Sequence, residues 1–188
     1  MLRNHLIRVS GALVMATTLT LTAYASAAAT TTSASQAAAV NGPANIILYS
    51  INSDGPYFTA MVTGAVGDYG PAVTVHPNGT VDPEHTSEME LKLTHGRFRI
   101  RIAELFKKII KETSHEPTYP RTCSTFIHVT AATPIVPGSG TGSYRGIRGS
   151  FTITVTGDEI HVMPCPRNAL RTLRQYAFLA GPGHVSLG

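Results

Sequence analysis

Few side chains in this sequence stand at the spacings that chemistry requires. Asp68 and Tyr69 form an adjacent carboxylate and phenol between Gly67 and Gly70, at the end of a β-prone run. Such a pair can hold or pass a proton, which makes these two the catalytic candidates. An aspartate in a glycine turn also caps that turn through its own backbone, and this is the plainer role for Asp68. Of the eight histidines no two lie three to five residues apart, so no local metal-ligand set exists. His128 and His161 follow or precede the two cysteines closely enough to become neighbours if Cys123 and Cys165 pair. Neither cysteine has a second Cys or His at ligand spacing, and in an oxidising compartment an isolated pair predicts a disulfide. The G-x-S-x-G, H-E-x-x-H and P-loop patterns are missing from the sequence. No metal and no cofactor are implied.

The compartment follows from the first residues. Arg3 and Arg8 precede an apolar run, Val9–Tyr24, and Ala23–Ala27 offers small-x-small exits. This is the pattern of a secretory signal peptide, residues 1–27, cleaved after Ala25 or Ala27. A retained anchor fits less well, because the run is short and rich in Thr and Ala. Residues 28–44 read as a low-complexity leader, and 45–188 as one domain. No later stretch suits an integral membrane segment, so the mature protein is expected to be secreted, outside the cell or in its envelope. The formal charge of +4 falls further once Arg3 and Arg8 leave, which argues against a nucleic-acid partner.

The elements that must position these groups are mostly strands. Asn45–Ile51 and Tyr57–Val66 are apolar and β-prone, with a turn between them, and Ala72–Val75 is a short third strand. Met89–Ile102 predicts a hairpin around a His95-Gly96 turn, with Leu93 facing Phe98, Leu91 facing Ile100 and Met89 facing Ile102. The opposite face then carries Arg97, Arg99 and Arg101, solvated and partly paired with Glu88 and Glu90. Ile102, Leu105, Phe106, Ile109 and Ile110 switch to helical spacing over Ile102–Glu112. Cys123–Ala131 is a strand, and Pro137–Gly149 is glycine-dense. Phe151–Val155 alternates strictly, a turn is expected at Thr156-Gly157-Asp158, Glu159–Met163 follows, and Tyr176–Ala180 with Gly183–Leu187 forms a last strand pair. The fold class is therefore all-β, an antiparallel barrel of about eight strands with one short helix.

The stretch Gly140–Gly149, Gly-Thr-Gly-Ser-Tyr-Arg-Gly-Ile-Arg-Gly, followed by the alternating strand, resembles the G-T-G-x-[YF]-x-G-x-x-G signature of the allene oxide cyclase and dirigent superfamily. Gly64–Gly70 and Thr122-Cys123-Ser124 resemble uncharacterised exported bacterial proteins with this barrel. The resemblance spans roughly Tyr57–Leu187. It implies an eight-stranded antiparallel barrel whose apolar interior holds a small hydrophobic molecule. Plant members cyclise an unsaturated fatty-acid epoxide or orient phenoxy radicals, but no catalytic residue of theirs is matched here position by position.

Three function classes remain open on the sequence. The first choice is a module binding a small hydrophobic ligand, lined by Tyr57, Phe58, Met61, Phe98, Ile100, Phe126, Tyr144, Phe151 and Ile153. The same residues would also serve a fully packed core. The second is an isomerase or cyclase acting on an apolar substrate. The third is a cell-surface protein that works through contacts or as a homo-oligomer.

Overall fold

Alternation of apolar and polar residues, period two, runs through most of the domain, and in the computed structural model it becomes one antiparallel sheet of eight strands. The structure describes residues 40–51, 57–82, 87–114, 117–166 and 171–188, all within the unit Ala37–Gly188. The expected signal peptide, its cleavage positions and residues 28–39 of the expected leader lie outside the described residues.

The strands are β1 (Asn41–Ser50), β2 (Tyr57–Gly64), β3 (Asp68–Val75), β4 (Glu88–Leu93), β5 (Gly96–Arg101), β6 (Ser124–Pro134), β7 (Arg148–His161) and β8 (Thr172–Ser186), with one helix, α1 (Ala103–Thr113). Their order is β5-β4-β3-β2-β1-β8-β7-β6, so β5 and β6 are the edges. The sheet curls until these edges meet. Ile100 bridges to Ile135, Val136 N donates to the Arg99 carbonyl at 2.8 Å, and Thr141 N donates to the Arg97 carbonyl at 2.8 Å. The glycine-dense segment thus runs along β5 and satisfies an edge that would otherwise stay open. Inside lie Ile46, Leu48, Val62, Met89, Leu91, Phe98, Ile100, Phe151 and Ile153, all essentially removed from water. From the β5 edge, α1 leads to β6 and sends Leu105 into this core.

Five expectations change. The barrel begins at Asn41, because residues 41–44 pair with Ser186–Gly183. The expected turn at Thr156-Gly157-Asp158 is absent: β7 runs unbroken for 14 residues, with Gly157 paired to Ile127 on one side and Ala177 on the other. The expected C-terminal strand pair is the single 15-residue β8. The hairpin turns at Thr94-His95, so Leu91 faces Phe98 and Met89 faces Ile100. A shift of two residues keeps every side chain on its face, so alternation alone cannot detect it. Gly96 decides it, as a strand residue with φ +148°, where an added Cβ would run into the Thr141 carbonyl oxygen of the glycine segment. The charged face is also less solvated than expected. Glu88 and Glu90 are buried, Arg99 meets Glu88 at 3.1 Å, and Arg99 also donates to the Pro77 carbonyl of the turn that folds beside it.

Cys123 and Cys165 are joined, with Cα atoms 5.7 Å apart. The bond ties the start of β6 to the chain beyond β7 across 42 residues. Replacing both cysteines by serine should lower unfolding stability by about 4 kcal/mol in the loop-entropy model, read from the urea midpoint. An unchanged midpoint would contradict a structural role for the bond.

Candidate functional site

The two ends of the barrel are built differently. At the end where β2 turns into β3, Asp68 is buried, with its carboxylate removed from solvent. Oδ1 accepts from the Tyr69 amide at 2.8 Å, the Thr94 amide at 3.2 Å and the Thr94 hydroxyl. Oδ2 accepts from the His95 amide at 3.0 Å and the Tyr144 hydroxyl at 2.5 Å, with His95 Nδ1 at 3.1 Å. Burial alone would raise the Asp68 pKa. The donors from Thr94, Tyr144, His95 and Tyr69 outweigh it and hold the carboxyl well below the ordinary range. Burial, then the facing carboxylate, push the Tyr144 phenol far above its usual value. At neutral pH Asp68 is therefore ionised and Tyr144 keeps its proton. Asp68 anchors two turns and the glycine segment at once, and its lone pairs are taken.

Tyr69 contributes only its amide. Its ring lies outside, 65 % exposed, beside a shallow groove of about 300 Å³ that Met61, Gly67 and His95 also line. Of the expected ligand-lining residues, Phe98, Ile100, Phe151 and Ile153 are packed core, and Tyr144 stands edge-on to Phe98 at 5.3 Å. Phe58 is partly buried against that core. Tyr57, Met61 and Phe126 point out of the barrel, at 63 %, 44 % and 45 % exposure. Alternation explains the correction, since Ala60 and Val62 on β2, and Thr125 and Ile127 on β6, take the inward positions.

The disulfide end is where the interior becomes accessible. On its inner face Glu159 stands between Thr125 of β6 and Gln175 of β8, its direct cross-strand partners. One pair further in, Gly157 lies between Ile127 and Ala177. Gly157 and Ala177 are both small, and Ile127 packs over Gly157, with its Cβ 3.4 Å from where a Cβ at Gly157 would stand. Glu159, Gln175 and Ala177 are only partly buried although they face inward, whereas the inward residues of β1, β4 and β5 away from the hairpin turn are sealed. His161 is buried, and its Nε2 lies 2.9 Å from Thr125 Oγ1. Its Nδ1 has no hydrogen-bond partner, which is unusual for a buried polar atom. Burial pushes the Glu159 pKa up, partly offset by His161. Glu159, partly exposed and of raised pKa, can hold, give or take a proton at this end, whereas His161 Nδ1 is sealed away from any bound molecule.

Glu159 was missed in the sequence because the expected turn at residues 156–158 broke the alternation. Carried through Gly157, the pattern from Phe151 places Glu159 and His161 on the inner face. The expected His128–His161 neighbourhood does not form: His128 faces outward and stacks on Phe126 at 6.2 Å, while His161 faces inward. Among the described residues no group of three or more His, Cys, Asp or Glu could hold a metal ion, and no helix is long and apolar enough to cross a membrane.

No protein-family model, curated protein or solved structure matches this chain.

The Asp68 cluster makes two predictions. Tyr144→Phe leaves one lone pair of a buried carboxylate unmet and should cost about 1–3 kcal/mol, measured by urea unfolding. Because the folded pKa of Asp68 lies below its unfolded value near 4, its contribution is present above about pH 4 and is lost as pH falls further. Asp68→Asn should therefore be less stable at pH 7 and show a flatter stability profile between pH 5 and pH 2. A parallel profile would contradict the assignment.

Proposed function

We propose that this protein is an exported barrel that binds a small apolar molecule at the disulfide end of its interior. The observation carrying this reading is the partial exposure of the inward-facing residues Glu159, Gln175 and Ala177 at that end. Ile127, Val155 and Leu179, at 4–6 % exposure, supply apolar walls next to it. Mostly apolar walls with a few convergent polar groups are the usual make-up of a ligand site. The Cys123–Cys165 bond is compatible with an extracellular location. Membership of the allene oxide cyclase and dirigent superfamily is part of the same proposal. It rests on the Gly140–Gly149 motif and on the closure that this segment gives the barrel.

A second reading has an observation of its own. Tyr49, Tyr57, Met61, Tyr69 and Tyr176 are exposed on neighbouring strands of the outer face, a distribution that suits contact with another surface. In that reading the interior is only a core, and the protein acts through its outside or as a homo-oligomer.

The test is uptake. A solvent extract of the purified protein should carry a stoichiometric apolar molecule, or the emptied protein should bind Nile red. Gly157→Leu adds bulk between Ile127 and Ala177 without backbone strain, since an added Cβ at Gly157 makes only ordinary contacts, the nearest with Ile127 at 3.4 Å. It should weaken dye binding at least tenfold with an unchanged melting temperature. Undiminished binding in the variant, or an empty extract and no dye uptake by the parent protein, would overturn the interior site.

A further inference from the structure

We infer that the shallow groove beside the Thr94-His95 turn is a second ligand site, for a neutral, flat aromatic molecule that donates one N–H or O–H to His95 Nε2. The site lies on the outside of the barrel and is independent of the interior one. It begins from the position of the ring proton on His95. Nδ1 stands 3.1 Å from Asp68 Oδ2 and 3.1 Å from Thr94 Oγ1. Asp68 is ionised, so its oxygens only accept. Thr94 gives its hydroxyl hydrogen to Asp68 Oδ1, so towards the imidazole its oxygen accepts as well. Both neighbours of Nδ1 are acceptors, and the proton of the neutral ring therefore stands on Nδ1. Nε2 is left as a bare acceptor on a side chain that is 65 % exposed, with no hydrogen-bond partner among the described residues. The ring is held in this orientation by a carboxylate that two turns and Tyr144 already fix.

The groove gives that nitrogen an apolar companion surface. It measures about 300 Å³ and is lined by Met61, Thr63, Gly67, Tyr69 and Thr94 besides His95. Met61 on β2 and Tyr69 on β3 are direct cross-strand partners, and both project outward. A thioether and a phenol ring thus stand side by side as one wall, against which a flat ring can lie. A Cβ at Gly67 would meet nothing within 4 Å, so the approach is open on that side. Charge selects among ligands. Among the described residues that line the groove there is no Lys or Arg, and Asp68 lies behind the imidazole, so an anion meets a like charge and no partner. A cation finds no open carboxylate, because the Asp68 side chain is 1 % exposed and its lone pairs are met. A molecule that only accepts would face the bare lone pair of Nε2. A neutral donor satisfies it.

Two probes test the assignment by nuclear magnetic resonance titration at pH 8: indole, and 1-methylindole, which keeps the ring but lacks the N–H. Indole should bind roughly fivefold more tightly, as one neutral hydrogen bond supplies, with shifts at Gly67, Tyr69 and His95. The ring nitrogens of His95 should read as protonated at Nδ1 and bare at Nε2. His95→Phe keeps the backbone amide that Asp68 accepts, and its melting temperature should be unchanged. It should bring the two probes to equal affinity, while Tyr69→Ala should weaken both alike. Equal affinities in the parent protein, a preference for indole that His95→Phe leaves unchanged, or a proton on Nε2 would overturn the inference. So would binding of neither probe. Indole shifts gathered at Gly157 and Ala177 would overturn this site and leave the interior one standing.

Discussion

The arrangement of this molecule depends on where one buried charge finds its donors. Asp68 sits at the first position of β3 with amides from its own turn and from the Thr94-His95 turn aimed at it, and a phenol from the glycine segment completes the set. Removing an ionised carboxylate from water is costly unless each lone pair is met. Here that requirement brings together three stretches of chain separated by 26 and 76 residues. It fixes the register of β4 against β5, and it fixes the path of the segment that covers the β5 edge. The glycines of that segment follow from the same demand. At Gly142, φ is +58° and an added Cβ would meet the His95 carbonyl, so the segment lies as close to the hairpin turn as a chain can.

Closure at this end leaves the opposite end to differ. Phe98, Phe151 and Tyr144 fill the interior towards the Asp68 end. Towards the disulfide, the inner face of β7 and β8 passes from Phe151, Ile153 and Val155 to Gly157 and Ala177, then to Glu159 and Gln175. Large side chains give way to small ones, and small ones to polar ones, along a single pair of strands. Polar side chains on the inner face of a barrel need partners, and His161 and Glu159 have fewer than they can use. That deficit is the chemical character of the site. In the packed end, by contrast, Asp68 stays ionised and Tyr144 stays protonated across the neutral range.

Much of the architecture was legible in the sequence because period-two alternation and a helical run are local signals. The inward faces of β4, β5 and β7 and the helix over residues 103–113 follow from such signals, and the disulfide from an isolated pair of cysteines. What could not be read depends on contacts between distant residues. The hairpin register needed Thr141 to meet Gly96 and Asp68 to meet Thr94. The continuity of β7 through Thr156-Gly157-Asp158 needed strands on both sides to hold a sequence that, alone, favours a turn. That second misreading hid Glu159, so the residues with the clearest chemistry were absent from the expected site, while aromatic residues of β2 and β6 were drawn inward in error. Aromatic character says that a side chain is costly to leave in water. Only the pairing says which side of the sheet it occupies.

The most direct measurement is the location of binding, mapped by nuclear magnetic resonance as the protein is titrated with 1-decanol. The account predicts that amide and methyl shifts gather at Ile127, Val155, Gly157, Ala177 and Leu179. Phe98, Phe151 and Tyr144 should stay unmoved. Shifts confined to Tyr49, Tyr57, Met61 and Tyr69 on the outer face, or spread over the Tyr144 end, would contradict it.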